Sequence, residues 1–243
     1  MCLKRKKLKR NELKTAKHYD KQIVEMIKVK IEGAIFDLDG TLLDSLSVWD
    51  DLAERYLKSR GITPLESIRG DVKDQSLLEC AKYFKKVYGI EDGCEEIIRG
   101  INKMIEDFYL NKAMLKDGSS EFLKYLKDRG VKMCIATATE KYLVEGAIKR
   151  CGCEKYFDAV FSCNDTKTSK HSPEIFNKAL EFLGTEKKNT WIFEDALYAV
   201  KTAKAAGFNV CGLYEKYETE GDKVKELSDI YLQNFNEAGV CFD

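Results

Sequence analysis

The chain has 243 residues, enough for one domain with an insertion or for two small domains. Its 41 Lys and Arg balance 41 Asp and Glu, so no overall charge favours nucleic acid or an anionic membrane as a partner. Apolar residues make up 44%, enough for a hydrophobic core, yet no apolar run could span a bilayer and no signal-peptide pattern is present.

Positive charge is concentrated at the start of the chain. Residues 1–30 contain eleven Lys and Arg against three Asp and Glu, so residues 31–243 carry a formal charge of −8. The run Lys4–Arg10 is typical of a nucleic-acid-binding arm. Met26, however, leads directly into the first predicted strand and resembles a natural chain start. We therefore expect residues 1–25 to be a basic extension, disordered or non-essential, with the binding arm as the alternative.

The first predicted strand, residues 31–37, ends in two carboxylates. Asp37 and Asp39 are spaced i, i+2, which places both side chains on the same side of an extended segment. Gly40 then allows the backbone to turn away. Two acids at the end of a strand either bind a metal ion or divide the roles of nucleophile and general acid–base. The alternative is a strand that ends in a polar turn.

The next part of the chain has only helical periodicity. Apolar residues recur on one helical face in three stretches: residues 46–61, 74–88 and 95–111. Charges over residues 46–116 are balanced, at 12 Lys and Arg against 13 Asp and Glu, so there is no basic groove for a polymer. We expect an all-helical domain over residues 46–113, inserted into a core formed by residues 26–45 and 114–243.

From about residue 117, helical and strand patterns alternate. The predicted order is helix 119–129, strand 131–136, helix 140–150, strand 159–161, a helix opened by Ser172 and Pro173, strand 190–193, helix 196–206 and strand 208–213. Such alternation produces a parallel sheet with helices on both faces. The predicted fold class is therefore α/β, a Rossmann-like sheet with the helical segment inserted after the first strand.

Polar groups suited to a phosphate ester follow three of the predicted strands, where ligands bind in sheets of this kind. At Thr137–Thr139, a hydroxyl and backbone N–H groups at a helix start form an anion site. Lys170 precedes the helix opened by Ser172, so its ammonium group is expected beside the same anion. Glu194 and Asp195 supply a second pair of acids. Individually such residues are more typical of caps and solvated charges; their succession at strand ends indicates a site.

In this order, the residues resemble the motifs of the haloacid dehalogenase-like phosphohydrolases, and the resemblance spans roughly residues 31–232. Asp37–Thr41 resembles the first motif, Thr137 the hydroxyl of the second, Lys170 the lysine of the third and Glu194–Asp195 the acids of the fourth. The helical insertion resembles the cap of the phosphoglycolate phosphatase and β-phosphoglucomutase branch.

The resemblance implies a role for each residue. Asp37 would attack phosphorus to form an aspartyl-phosphate, and Asp39 would protonate the leaving alcohol and later accept a proton from water. The phosphoryl oxygens would be bound by Thr137, the Ala138 N–H and Lys170. The implied cofactor is Mg²⁺, held by oxygen ligands from Asp37, the Asp39 backbone carbonyl, Asp195 and Glu194.

The implied function is a Mg²⁺-dependent phosphatase that hydrolyses small phosphorylated metabolites such as sugar phosphates. The first alternative is a sugar-phosphate mutase of the β-phosphoglucomutase type, in which a His usually stands ten residues after the second acid of the first motif. Here that residue is Trp49, which favours hydrolysis. The distant alternatives are a non-catalytic module that binds a phosphorylated ligand and a signalling receiver domain, whose phospho-acceptor belongs on the third strand.

Two further expectations concern specificity and compartment. Arg69 and Lys73 belong to a segment, residues 69–73, that is the candidate loop for substrate selection; the alternative is an exposed polar loop between helices. The nine cysteines are odd in number, and Cys134 and Cys211 lie inside apolar runs. They indicate buried thiols in a reducing cytoplasm rather than a disulfide framework. No pattern in the sequence predicts the natural substrate or the oligomeric state.

Overall fold

The computed structural model describes residues 28–72, residue 75 and residues 77–243. The expected basic extension, residues 1–25, and the candidate specificity residue Lys73 lie outside this part of the chain. None of the helices in the described ranges is long and apolar enough to cross a membrane.

Six parallel strands form one sheet, in the spatial order β3-β2-β1-β4-β5-β6. The strands are β1 (Gly33–Phe36), β2 (Lys132–Thr137), β3 (Ala159–Ser162), β4 (Thr190–Glu194), β5 (Asn209–Leu213) and β6 (Ile230–Leu232). Sequence patterns predict the first five, whereas β6 has three residues, too few to show an alternating pattern. The strand order reverses between β1 and β4, which is where open parallel sheets form their ligand-binding crevice.

Helices cover both faces of the sheet. They are α1 (Leu46–Ser59), α2 (Ile68–Val72), α3 (Leu77–Tyr88), α4 (Cys94–Asn111), α5 (Ser119–Asp128), α6 (Lys141–Arg150), α7 (Cys163–Thr166), α8 (Glu174–Leu183), α9 (Leu197–Ala205) and α10 (Gly221–Leu227). Ile35 and Phe36, neighbours on β1, belong to separate hydrophobic clusters because successive strand side chains point to opposite faces. This arrangement confirms the predicted α/β fold.

Helices α1–α4 occupy the segment between β1 and α5, where the sequence predicts a helical insertion. The chain enters and leaves this segment side by side: Leu43 and Leu115 form an antiparallel bridge, and the Asp44 N–H donates to the Met114 carbonyl at 2.9 Å. The expectation of a loop at residues 69–73 is wrong for its described part, because α2 continues to Val72. The division into core and cap domains remains a prediction.

Candidate active site

Asp37 lies directly after β1 and extends its ladder, because its N–H donates to the Phe193 carbonyl of β4 at 2.9 Å. The chain then turns tightly, with Gly40 at φ +79°. A Cβ atom on Gly40 would lie 2.3 Å from Oδ2 of Asp195, closer than real Cβ contacts allow. Thr41 donates its hydroxyl to Oδ1 of the same Asp195 at 2.6 Å. Gly40 and Thr41 therefore fit the turn after β1 against the acid that follows β4.

The structure brings three carboxylates from β1 and β4 together. Oxygen atoms of Asp37, Glu194 and Asp195 all lie within 4.8 Å of one another, and all three side chains are buried. Lys170, 4% exposed, donates from Nζ to Oδ1 of Asp37 and, at 2.8 Å, to Oε2 of Glu194. We call these four side chains the acid cluster.

Burial governs the protonation of the acid cluster. Removal from water, with the negative charge of Glu194, raises the pKa of Asp37 to about 8, although Lys170 works in the opposite direction. The same two causes raise the pKa of Asp195 well above its ordinary range. Burial alone would lower the pKa of Lys170, but Asp37 and Glu194 outweigh it, so the pKa is raised and the ammonium stays charged. The acid cluster therefore contains one ammonium group and three carboxyl groups, two of which contact the ammonium.

The acid cluster fits a divalent cation. Its ionised form carries an excess of negative charge in a buried place, which is costly without a compensating positive charge. The atoms of the acid cluster that could bind a metal are carboxylate oxygens, the hard ligands that Mg²⁺ prefers. Either protonation or metal binding would relieve the repulsion between the carboxylates. The raised pKa values of Asp37 and Asp195 show that protonation is favoured when no metal is bound.

Asp39 has different surroundings, although it is only two residues from Asp37. It is partly buried and accepts three hydroxyl hydrogen bonds. Ser45 and Tyr109 donate to Oδ1, both at 2.6 Å, and Thr139 donates to Oδ2 at 2.5 Å. The sequence places Thr139 in the predicted anion site but assigns no role to the hydroxyls of Ser45 and Tyr109. Tyr109 in particular belongs to an ordinary helical pattern, so nothing in the sequence marks it.

The candidate phosphate-binding residues follow β2, the strand next to β1. Thr137 is buried at the end of β2, and its hydroxyl oxygen accepts the Thr139 N–H at 3.1 Å. Ala138 between them is exposed. This turn and Asp39 are linked through Thr139, whose hydroxyl reaches the Asp39 carboxylate.

Lys116 connects the turn after β1 to the residues that follow β5. Its Nζ donates to the Gly40 carbonyl at 2.6 Å, to the Tyr214 carbonyl at 2.9 Å and to Oε2 of Glu215 at 2.7 Å. Both charged side chains are largely buried, with 17% and 3% of their surfaces exposed. No sequence pattern predicts this contact, because its members are 76 to 99 residues apart along the chain.

Arg69, the described member of the candidate specificity pair, lies on α2. Its guanidinium group pairs with two carboxylates of α1, Asp50 and Glu54, each at 2.6 Å. About half of the Arg69 side chain is exposed, so these ion pairs contribute little to stability. Its role in substrate selection remains a prediction.

Comparisons with known proteins agree with the fold and with the family that the motifs resemble. The sequence model of the haloacid dehalogenase-like hydrolases matches residues 34–213. A phosphorylated carbohydrates phosphatase from Thermotoga maritima is 26% identical over 73% of the chain and 82% of the relative. A validoxylamine A 7′-phosphate phosphatase from Streptomyces hygroscopicus is 26% identical over 84% of the chain and 94% of the relative.

Among solved structures, a Thermotoga maritima protein described provisionally as a β-phosphoglucomutase superposes with a TM-score of 0.75. The two sequences are 24% identical, and the match covers 83% of this chain and 94% of the other. A likeness at this level of identity establishes the fold.

Proposed function

The chain belongs to the haloacid dehalogenase-like hydrolases, and from that membership we propose that it is a Mg²⁺-dependent phosphatase acting on small phosphorylated metabolites through an aspartyl-phosphate. The observation that carries the proposal is the acid cluster beside an independent acid. Asp37 contacts a lysine and two further carboxylates, whereas the side-chain hydrogen bonds of Asp39 within the described part of the chain all come from hydroxyl donors. Two acids in different environments suit two different chemical roles.

In the proposed first step, a carboxylate oxygen of Asp37 attacks phosphorus while the bond from phosphorus to the leaving oxygen breaks. Asp39, in its acid form, donates a proton to that oxygen, and the alcohol leaves. In the second step, water attacks the phosphorus of the aspartyl-phosphate and gives a proton to Asp39. The bond between phosphorus and the Asp37 oxygen breaks, which releases inorganic phosphate and restores both side chains.

Lys170, Thr137 and the Ala138 N–H are proposed to hold the phosphoryl oxygens. The Lys170 ammonium is buried against Asp37, so it would neutralise charge where the phosphoryl group transfers. The residues proposed to hold Mg²⁺ are Asp37, Asp195, Glu194 and the Asp39 backbone carbonyl. When bound, the ion would keep the carboxylates ionised and offset the charge of the phosphoryl oxygens.

The proposed substrates are phosphorylated carbohydrates or similar phosphomonoesters. Two relatives carry names of this kind, for phosphorylated carbohydrates and for a 7′-phosphate. The proposed compartment is the reducing cytoplasm, since Cys134 and Cys211 are fully buried free thiols within the described part of the chain.

A β-phosphoglucomutase-like mutase is the second candidate function, because one similar fold carries that description. Trp49 argues against it: an indole cannot exchange protons as the imidazole expected at this position would. The discriminating measurement is conversion of β-glucose 1-phosphate to glucose 6-phosphate, compared with release of inorganic phosphate. Interconversion faster than phosphate release would reverse the ranking.

The proposal is tested by turnover of p-nitrophenyl phosphate and of a panel of phosphorylated sugars, nucleotides and phosphoglycolate, in Mg²⁺ and in excess chelator. We expect Mg²⁺-dependent release of phosphate and, after acid quench and peptide mapping, an acyl-phosphate on Asp37. No turnover across the panel, or an acyl-phosphate on Asp195, would overturn it.

A further inference from the structure

We propose that Tyr109 is a positioning residue for the acid–base step: its hydroxyl, delivered by α4, holds the Asp39 carboxylate toward the leaving group. This inference rests on the proposed phosphatase function and concerns the same site. Tyr109 would not touch the substrate or the phosphorus; it would act through Asp39.

The contact is well defined. Tyr109 lies in the last turn of α4, its side chain is fully buried, and its hydroxyl donates to Oδ1 of Asp39 at 2.6 Å. Its ring packs edge-on against Phe108, with ring centroids 5.7 Å apart. Burial and the Asp39 charge raise the pKa of Tyr109, so the phenol keeps its proton and remains a donor. A buried ring with one fixed donor suits the task of orienting a carboxylate.

Both oxygens of Asp39 are held, but by different parts of the molecule. Oδ2 is bonded by Thr139, which belongs to the candidate phosphate-binding turn after β2. Oδ1 is bonded by Tyr109 from the insertion and by Ser45, which directly precedes α1. Asp39 therefore lies between the turn proposed to hold the phosphoryl group and the helices that follow β1. That is the side on which a leaving alcohol would lie.

Trp49 supports the same arrangement from α1. Trp49 lies close enough to the Tyr109 hydroxyl to oppose the rise in the pKa of that phenol. Trp49 is 45% exposed, whereas Tyr109 is fully buried. Two aromatic residues from different helices of the insertion therefore lie close to one another, and one of them, Tyr109, donates to Asp39.

The expected consequence is selective. An acid that protonates the leaving oxygen matters most when the alcohol is a poor leaving group, and little for p-nitrophenol, which leaves without help. A loosened Asp39 would therefore slow hydrolysis of alkyl and sugar phosphates while sparing activated aryl phosphates. A general loss of structure would slow both classes equally.

The test replaces Tyr109 by Phe, which keeps the ring and removes only the hydroxyl. The matched control is Tyr125→Phe, which removes a hydroxyl donor outside the site. The Tyr125 hydroxyl donates to the Phe242 carbonyl, and the distance between the two oxygens is 2.8 Å. For each variant, kcat/KM is measured in Mg²⁺ over a series of phosphate monoesters whose leaving groups span a wide range of pKa. We expect Tyr109→Phe to lose about tenfold or more on the alkyl esters, less than about threefold on p-nitrophenyl phosphate, and to show a steeper dependence on leaving-group pKa.

A second comparison keeps the proposal falsifiable if Tyr109→Phe also weakens the fold. In an Asp39→Asn background, the hydroxyl of Tyr109 has no acid to position, so adding Tyr109→Phe should leave the leaving-group dependence unchanged. Additive effects of the two substitutions, or equal losses on alkyl and activated aryl esters, would overturn the inference. If the unaltered protein shows no Mg²⁺-dependent turnover, it is the proposed function that fails.

Discussion

Asp37 and Asp39 are separated by one residue, yet their surroundings differ in every respect that matters for chemistry. Asp37 is buried among Lys170 and two carboxyl groups, and its pKa is raised to about 8. Asp39 is reached by three hydroxyl donors. The i, i+2 spacing explains why both leave the same strand end, but the difference between them comes from residues brought in by other elements.

Substitution of each aspartate by Asn should therefore give a different defect. Asp37→Asn removes the nucleophile and a metal ligand, so turnover and acyl-phosphate formation should both vanish. Asp39→Asn keeps the nucleophile and the backbone carbonyl, so p-nitrophenyl phosphate should still yield some acyl-phosphate, with a loss of about 10²–10⁴-fold on sugar phosphates. The measurement is acid-quenched phosphoenzyme together with steady-state rates on both substrates.

Asp44→Asn is the matched control for these two variants, because Asp44 is exposed on the same segment. It should retain the rates of the unaltered protein. An acyl-phosphate found on Asp39 would reverse the assigned roles, and an unchanged rate for Asp37→Asn would remove the nucleophile assignment.

Gly40 offers a second test at the scale of one residue. Gly40→Ala combines left-handed backbone strain with a Cβ atom 2.3 Å from the Asp195 carboxylate, whereas Gly61→Ala combines a similar φ of +73° with open space. Gly61→Ala should lower the free energy of unfolding by about 1 kcal/mol and leave activity intact. Gly40→Ala should cost more and should also raise the Mg²⁺ concentration for half-maximal activity. Equal effects of the two substitutions on Mg²⁺ dependence would contradict this account.

At the scale of elements, the insertion meets the core where α4 packs against α6. A Cβ atom on Gly146 of α6 would lie 2.2 Å from Cδ2 of Leu110 on α4. Leu110 is the neighbour of Tyr109 along the chain, so we expect the approach of these two helices to influence how close the Tyr109 hydroxyl comes to Asp39. A glycine in the middle of a helix costs about 0.5–1 kcal/mol relative to alanine, and this one permits the close contact.

Gly146→Ala should consequently fail to give the stability that helix propensity alone predicts, and it should lower kcat/KM on sugar phosphates by displacing α4. Leu110→Ala removes the clashing methyl groups, so the double variant should recover most of the lost activity. The measurements are urea denaturation and steady-state kinetics on all three variants. Full activity and a gain of about 1 kcal/mol for Gly146→Ala would show that α4 is not held at this contact.

The elements also show how far sequence reasoning reaches. Strand and helix periodicity, with acids and hydroxyls at strand ends, predicts the sheet and the approximate positions of Asp37, Thr137, Lys170 and Glu194–Asp195. It does not predict contacts such as Tyr109 with Asp39, whose members are 70 residues apart. The expected loop at residues 69–73 illustrates another limit, since a five-residue helix is too short to show a period and its Gly70 resembles a loop residue.

For the molecule as a whole, the acid cluster links stability to pH and metal. The pKa of Asp37 is raised to about 8 in the folded protein, so the folded state keeps this proton at pH values where the unfolded state has lost it. The contribution of Asp37 to the free energy of unfolding is therefore full below about pH 4 and is lost as pH rises toward 8. Asp195 acts in the same direction. The metal-free protein should therefore be less stable at pH 8 than at pH 5.5, and Mg²⁺ should restore more stability at pH 8.

Urea denaturation in chelator and in Mg²⁺ at both pH values measures this linkage. The range from pH 5.5 to 8 avoids the titration of acids whose pKa values are lowered, such as Glu54 and Asp71, because their protonation destabilises the protein only at lower pH. Asp37→Asn should reduce the dependence on pH. A metal-free protein that gains stability between pH 5.5 and 8 would contradict the prediction.

The expected dispensability of residues 1–25 is also a prediction about the whole chain. Val29 forms a bridge with Phe242, and its N–H donates to the Cys241 carbonyl at 2.8 Å. Residues from Val29 onward therefore contribute contacts to the fold. A protein that starts at Met26 should keep its unfolding free energy and its kcat/KM. A deeper truncation that removes Val29 and buried Ile31 should destabilise it. A large loss on removal of residues 1–25 alone would favour the basic arm.

The chain passes side by side at Leu43 and Leu115, and this has a consequence for replacement of the helical insertion. This bridge, and the bond that the Lys116 N–H donates to the Leu42 carbonyl at 2.8 Å, hold together the two crossings, where the chain enters and leaves the insertion. In the topology of the core, the insertion is therefore equivalent to one loop between two neighbouring points. Closing a longer or shorter loop across a fixed gap changes the entropy only slowly with length. A different helical segment could therefore be inserted between these two crossings while the sheet and the acid cluster stay unchanged. Such an exchange would alter substrate selection without altering the catalytic residues.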